Sequence, residues 1–254
     1  MRLSVAGTTD VGLKRSHNED AFLLLPEEHL YCVADGMGGH ASGEVASRIA
    51  VEEMAEFFRL TGRDDEATWP FAEDPARRPD ENRVLTGVRL ANARIHERAQ
   101  GDERLQGMGT TLVCAHLTGG AAVIGHVGDS RAYLWRQGTL RQLTEDHSLL
   151  NDYLKTKKLT PEEVESFPHK NVIVRALGMK PTVEVDVLRE PLQDGDVVLL
   201  CCDGLSGMVP DARIAELVRH GLGDLKAAAQ SLVDAANEAG GVDNITCVLV
   251  QYHA

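Results

Sequence analysis

The sequence predicts an α+β fold in four layers, α-β-β-α, with two antiparallel sheets stacked on each other between outer helices. Three observations lead there. Apolar runs of strand length are joined by short glycine-bearing connections, several runs are apolar at every position, and three long segments carry one apolar stripe at helical spacing.

The hairpins come first. Residues 111–117 meet 121–127 across Thr118-Gly119-Gly120, and residues 131–135 meet 140–143 across Arg136-Gln137-Gly138-Thr139, which implies antiparallel pairing. Runs 197–202 and 246–250 are apolar on both faces, so they need cover on both sides. Residues 43–60 place Ala46, Ala50, Met54, Phe57 and Phe58 on one helical face. Residues 82–99 do so with Val84, Val88, Ala91 and Ile95, and residues 224–239 with Leu225, Ala228, Leu232 and Ala236. Residues 63–81, rich in Asp, Glu, Arg and Pro, predict a mobile loop between two helices. Residues 148–172 are mostly polar, and Thr160-Pro161-Glu162-Glu163 predicts the start of a short helix that ends before Pro168.

With 254 residues and 43% hydrophobic side chains, the chain is long enough for one sizeable core, and we expect a single domain over 1–254. The formal charge of −13 repels nucleic acid and anionic membranes, so neither is an expected partner. No signal-like apolar segment opens the chain and no run approaches the roughly 20 apolar residues of a membrane span, which predicts a cytoplasmic protein. The five cysteines lie in apolar runs without zinc spacing and read as buried thiols.

Chemistry enters at the strand ends. An apolar run stops at aspartate in Val33-Ala34-Asp35-Gly36, in Val127-Gly128-Asp129-Ser130 and in Cys201-Cys202-Asp203-Gly204, while Asp243-Asn244 precedes the last run. Singly, each aspartate is explained as a turn former. If the four ends converge, two carboxylates about 4 Å apart repel by around 4 kcal/mol at an effective dielectric near 20. Such a cluster needs cations or raised pKa values, and an all-oxygen set favours hard ions such as Mg²⁺ or Mn²⁺, two or more of them. Upstream, Arg15-Ser16-His17-Asn18-Glu19-Asp20 sets a guanidinium beside two acids; it is either a phosphate-binding segment or a solvated loop. The run Gly36-Met37-Gly38-Gly39-His40-Ala41-Ser42-Gly43 lacks the P-loop and EF-hand signatures and reads as a tight turn whose carbonyls, Gly36 included, can approach an ion.

Taken in order, these motifs, with Gly109-Thr110-Thr111, Ser130-Arg131 and Leu143-Thr144-Glu145-Asp146-His147-Ser148, resemble the bacterial branch of the metal-dependent type 2C serine/threonine protein phosphatases from residue 12 to residue 250. The resemblance implies the same four-layer sandwich. It implies that Asp35 bridges two Mn²⁺ or Mg²⁺ ions, with the Gly36 carbonyl on one and Asp203 and Asp243 on the other. Asp129 with Asp203 would hold a third, weaker ion, and Glu19 and Asp20 would act through water. Arg15 would bind phosphate, and Asn244 would support the site by hydrogen bonding. Water shared by the two ions would attack phosphorus directly, without a phosphoenzyme. Where some members place a histidine after Asp-Gly, this chain has Met37, which leaves the general acid to water or His40.

Residues 148–172 take the place of the family's flap, and Lys155, Lys157 and Lys158 make it basic, either to attract phosphorylated substrate or as solvated surface. The partners implied are phosphorylated proteins that a Ser/Thr kinase acts on, or the kinase itself. Two other readings remain, a same-fold phosphatase of small phosphomonoesters and an inactive metal-binding regulatory module.

Overall fold

The structure, a computed structural model, describes residues 2–38, 42–63, 69–157, 159–160, 163–164, 167 and 172–254. Eleven strands are seen among them: β1 (Arg2–Asp10), β2 (Asp20–Leu25), β3 (Leu30–Met37), β4 (Gly109–Thr110), β5 (Leu112–Thr118), β6 (Ala121–Val127), β7 (Arg131–Arg136), β8 (Thr139–Gln142), β9 (Asp186–Pro191), β10 (Val197–Cys201) and β11 (Ile245–His253). One sheet runs β1-β11-β10-β7-β8 and the other β2-β3-β5-β6-β9, with the short β4 paired to β3. All pairings are antiparallel. The predicted four-layer α+β sandwich is the observed fold.

Alternation along the central strands explains the layers. On β3, Tyr31 and Val33 point into the space between the sheets, while Cys32 and Ala34 point outward. On β10, Val198 and Leu200 point inward and Val197, Leu199 and Cys201 outward. The outward side of the β2-β3-β5-β6-β9 sheet is covered by α1 (Ser42–Arg63) and α2 (Pro79–Gly101), which bring Met54, Phe58, Val84 and Val88 against it. The outward side of the β1-β11-β10-β7-β8 sheet is covered by α5 (Asp211–His220) and α6 (Leu225–Glu238) through Leu217, Val218, Leu232 and Val233. Two smaller α-helices among the described residues are α3 (Leu149–Thr156) and α4 (Asp203–Ser206). Because Leu200 is sealed between two sheets, Leu200→Ala would cost about 2–5 kcal/mol.

The predicted mobile loop needs correction in its second half. Trp69 packs edge-on against Phe57 with ring centroids 5.7 Å apart. Asn82 accepts from the Asp74 N–H at 2.9 Å and donates to the Asp74 carbonyl at 3.0 Å, and α2 already begins at Pro79. These contacts tie residues 74–82 to the domain's surface; residues 64–68 lie outside the described set. The cap predicted at Thr160 is present, with the Glu163 N–H donating to Thr160 Oγ1 and the Thr160 N–H to Glu163 Oε2, although most of the helix it would open lies outside the described residues. All five cysteines are buried and free. Among the described residues, no helix is long and apolar enough to cross a membrane.

Antiparallel register brings the informative strand ends to one edge. The C-terminal end of β3 lies beside the start of β2, with Asp35 opposite Asp20. At the end of β10, Cys201 lies opposite both Cys247 of β11 and Arg131 of β7. Residues just beyond those ends share one cleft.

Candidate active site

Asp20 and Asp35 form the inner part of the cleft. The hexapeptide that suggested a surface loop is only partly one, because Asp20 opens β2. Asp35 is fixed by its main chain: its N–H donates to Thr111 Oγ1 at 3.0 Å, and its carbonyl accepts from the Thr111 N–H and from Thr110 Oγ1, both at 2.9 Å. Asp20 Oδ2 accepts from Thr246 Oγ1 at 2.6 Å. Glycine at 36 answers a close approach, since a Cβ there would lie 2.2 Å from the Gly43 carbonyl oxygen and 2.4 Å from that of Glu19.

The next acids sit on turns. Asp129 follows β6 in a turn where Gly128 has a φ of 112°, and it is only 7% exposed. Ser130 beside it shares a 2.7 Å hydrogen bond with Thr111, the residue that also holds Asp35. Asp203 opens α4 directly after β10. Asp243 lies at the rim, where Oδ2 accepts from Arg15 Nη2 at 2.6 Å and Oδ1 from the Asn244 N–H at 2.8 Å. Asn244 fastens the loop before β2: its Oδ1 accepts from the Glu19 N–H at 2.8 Å, and its Nδ2 donates to the carbonyls of Val11 and His17, each at 3.0 Å.

Electrostatics follow from this crowding. Burial raises the Asp35 carboxyl well above the usual range, and Asp20, Asp203, Asp129 and Asp243 push the same way. Asp20 is raised to about 6, by burial first and then by Asp203 and Asp243 against hydrogen bonds from Thr246 and Cys202. Asp129 is raised to about 7 by burial and by Asp203. Asp203 is raised by burial and Asp243, with a hydrogen bond from Asp35 opposing. Each carboxylate in this crowd disfavours ionisation of its neighbours, a repulsion that bound cations would relieve.

The donor set fits hard dications. Among the described residues, Asp20 Oδ1 and Asp129 Oδ1 are buried without a hydrogen-bond partner, and Glu19 Oε1 is approached only by His17 Nε2 at 3.6 Å. Leaving such atoms unpaired costs about 1–3 kcal/mol each, more if charged. Cys202 Sγ, with carboxylate oxygens of Asp20 and Asp35, falls within a 4.8 Å group. It accepts from the Thr246 N–H at 3.1 Å, and burial with the nearby acids holds it as a thiol, so it lines the cleft floor while the oxygens remain the donors.

Of the residues predicted from sequence, Arg15, Glu19, Asp20, Asp35, Gly36, Asp129, Asp203, Asp243 and Asn244 meet around this cleft, and His40 lies outside the described residues. The flap lysines are engaged locally. Lys155 Nζ is 3.1 Å from Glu145 and 3.7 Å from Asp152, and Lys157 Nζ is 3.0 Å from the Tyr153 hydroxyl, while Lys158 lies outside the described residues. Sequence reasoning assigned no role to Thr110, Thr111 or Thr246; hydroxyl residues opening the apolar runs 111–117 and 246–250 were the available signal.

Six carboxylates and one arginine at the strand-end cleft of a two-sheet sandwich define a metal-dependent hydrolase of an anionic substrate. The chain belongs to the protein phosphatase 2C family, whose model matches residues 13–242. It is a metal-dependent protein phosphatase, a hydrolase of phosphoproteins. The chain is 39% identical over 251 residues to the serine/threonine phosphatase stp of Listeria welshimeri, covering 96% of this chain and 93% of that protein. It is 36% identical over 251 residues to the protein phosphatase PhpP of Streptococcus pneumoniae, covering 98% and 97%. The crystal structure of the serine/threonine phosphatase PstP/Ppp of Mycobacterium tuberculosis is similar, with a TM-score of 0.84, 34% identity and 99% of each chain covered. A PstP catalytic domain in complex with two manganese ions gives a TM-score of 0.82 at 33% identity, again with 99% of each chain covered.

Proposed function

We propose that the enzyme removes phosphate from phosphoserine and phosphothreonine in proteins by direct attack of water, in a single domain spanning 1–254, and that Asp35, the Gly36 carbonyl, Asp203 and Asp243 hold two dications. Asp129 with Asp203 holds a third, weaker ion. Manganese is the first ion to test, since a relative of the same fold is described with two manganese ions, and magnesium suits the same oxygens. When bound, the dications neutralise phosphoryl oxygens and acidify water.

The chain's own residues do the rest. Asp35, immobilised through its main chain, fixes the cleft floor. Glu19 and Asp20 direct free carboxylate oxygens into it and accept hydrogen bonds from water. Arg15 presents a half-exposed guanidinium at the mouth, able to leave Asp243 and grip two phosphate oxygens. Met37 lacks an ionisable group, so it cannot protonate the leaving serine or threonine oxygen; solvent does so, with His40 as the alternative donor. A His40→Ala variant with an unchanged pH-rate profile would eliminate that alternative.

The observation that carries this reading is the pair of orphaned oxygens on Asp20 and Asp129 in a cleft that also presents Arg15. A phosphopeptide assay with and without chelator tests it, and phosphate release undiminished by exhaustive EDTA would refute it. Comparison of phosphopeptides with small phosphate esters under Mn²⁺ tests the protein-substrate assignment. Proteins phosphorylated by a Ser/Thr kinase, or that kinase, are the proposed partners, and the cytoplasm is the proposed location.

A further inference from the structure

Gly128 shapes the turn that presents Asp129, yet it cannot hold that turn itself. A Cβ on it would lie 2.6 Å from Thr111 Cβ and Cγ2, and its positive φ disfavours other residues, so the position has no side chain with which to anchor. Both of its main-chain polar groups go instead to His147. The Gly128 N–H donates to His147 Nδ1 at 3.0 Å, and the His147 N–H donates to the Gly128 carbonyl at 2.8 Å. His147 is 4% exposed and stacks on His126 with ring centroids 4.6 Å apart.

The ring's orientation is set from its far side. With Nδ1 accepting from Gly128, the hydrogen of neutral His147 is assigned to Nε2, where Asp186 Oδ2 at 3.2 Å can accept it, while Arg175 Nη1, 3.0 Å from the same nitrogen, donates to Asp186 Oδ1. Asp186 Oδ1 takes Arg175 Nη1 at 2.7 Å. The flap's roots arrive at the same place: Val174 N–H donates to the His147 carbonyl and Leu149 N–H to that of Val172, both at 2.9 Å. The donor atoms of His126, His147 and Asp186 lie within 4.8 Å of one another, a spacing that also suits a metal. The surroundings disfavour it: a metal on Nε2 would move the ring hydrogen to Nδ1, against the Gly128 N–H, and the Arg175 guanidinium already lies 3.0 Å from Nε2.

We infer that His147 is a positioning residue for Asp129: the chain Asp186–His147–Gly128 fixes the direction of the Asp129 carboxylate and ties it to the root of the flap. The inference rests on the reading of Asp129 as a holder of the weaker ion.

The test uses two amides that divide the ring's functions. Asn places an oxygen near the position of Nδ1 and keeps the acceptor for Gly128, whereas Gln reaches toward Asp186 without it. Mn²⁺ binding to the intact protein is followed by calorimetry and, separately, by electron paramagnetic resonance of free Mn²⁺. His147→Gln and His147→Leu should weaken the low-affinity Mn²⁺ step by roughly tenfold or more, with His147→Asn restoring most of it. Asp129→Asn should remove that step. If Asp129→Asn removes it but the Gln and Leu variants bind as wild type does, the inference about His147 fails alone. If Asp129→Asn leaves the step intact, the assignment of Asp129 fails and the inference goes with it. Should the Gln and Leu variants not fold, ¹⁵N spectra of the wild-type ring decide. A proton on Nε2 with scalar coupling from the Gly128 amide to Nδ1 supports the inference, and a proton on Nδ1 overturns it.

Discussion

The inner and rim parts of the cleft handle the same electrostatic problem differently. Asp20 and Asp35 lie opposite each other on paired strands, fixed by the ladder and by threonine hydroxyls, with no cation bonded to either carboxylate among the described residues. They cannot move apart, so burial and mutual repulsion raise the pKa of both. Asp243, on a partly exposed turn, takes Arg15 as its partner. The contrast teaches that acids gathered on rigid strands keep their mutual repulsion unless a cation is supplied from outside, whereas an acid on a turn can take a neighbouring side chain as its partner. On the proposed reading Arg15, bonded to Asp243 in the structure, is the cation that would meet phosphate.

The largest effect should come from the inner part. Loss of an outer supporting partner of a metal ligand costs about 10–100-fold, so Asp35→Asn, which removes a proposed ligand itself, should lower phosphopeptide kcat by more than about a hundredfold. Asp203→Asn and Asp243→Asn should do likewise, and wild-type rates from Asp203→Asn at limiting Mn²⁺ would sink the ligand assignment.

Stability of the metal-free protein should report the inner acids next. Asp20 is raised from 3.8 to about 6 in the folded chain, so the folded state binds its proton more tightly than the unfolded state does. That contribution is complete below about pH 4 and disappears as pH rises through about 6, a change on the order of 3 kcal/mol. Urea midpoints in EDTA should therefore fall between pH 4.5 and pH 7, and Asp20→Asn should flatten the trend. Added Mn²⁺ should restore stability at pH 7, because binding to the folded state alone stabilises it. A flat wild-type profile would show that the inner acids are not strained.

At the rim, Arg15→Ala removes a charge-assisted hydrogen bond to phosphate, worth about 1.5–3 kcal/mol. The phosphopeptide KM should rise about tenfold or more, with a smaller change in kcat. A fall in kcat at constant KM would place Arg15 in the inner machinery and blur the distinction between the two parts.

How much of this was legible depended on whether the signal was local. Asp35, Asp129 and Asp203 were visible because each ends an apolar run, and the hairpins were visible because their turns carry glycine. The strand β1 escaped because Arg2–Asp10 is mostly half-exposed, with Gly7 and two threonines interrupting any alternation. The edge strand β9, Asp186–Pro191, is largely polar and ends at proline, which reads as a loop. From its local residues Asp20 reads as either a site acid or part of a solvated loop, because its place opposite Asp35 is a long-range pairing that sequence does not display. His147 was equally hidden: a histidine in a polar stretch acquires its role only when Gly128, 19 residues earlier, folds beneath it.

The smallest effect should come from outside the cleft, where the comparison can be sharpened by a region that contributes little. Lys155 is exposed and paired with Glu145 and Asp152, and Lys157 lies over the Tyr153 ring with Nζ 4.8 Å from its centroid. Exposed pairs of this kind contribute about 0–1 kcal/mol, and at physiological ionic strength their field fades over a Debye length of about 8 Å. Their local acids already cancel much of the positive charge that an approaching phosphoprotein would sense. Lys155→Glu should accordingly change phosphopeptide KM by less than about twofold at 0.15 M salt, far below the effect of Arg15→Ala. A severalfold rise in KM that vanishes at high salt would instead make the flap a third functional region, drawing phosphorylated substrate toward a cleft whose own cation is committed to Asp243.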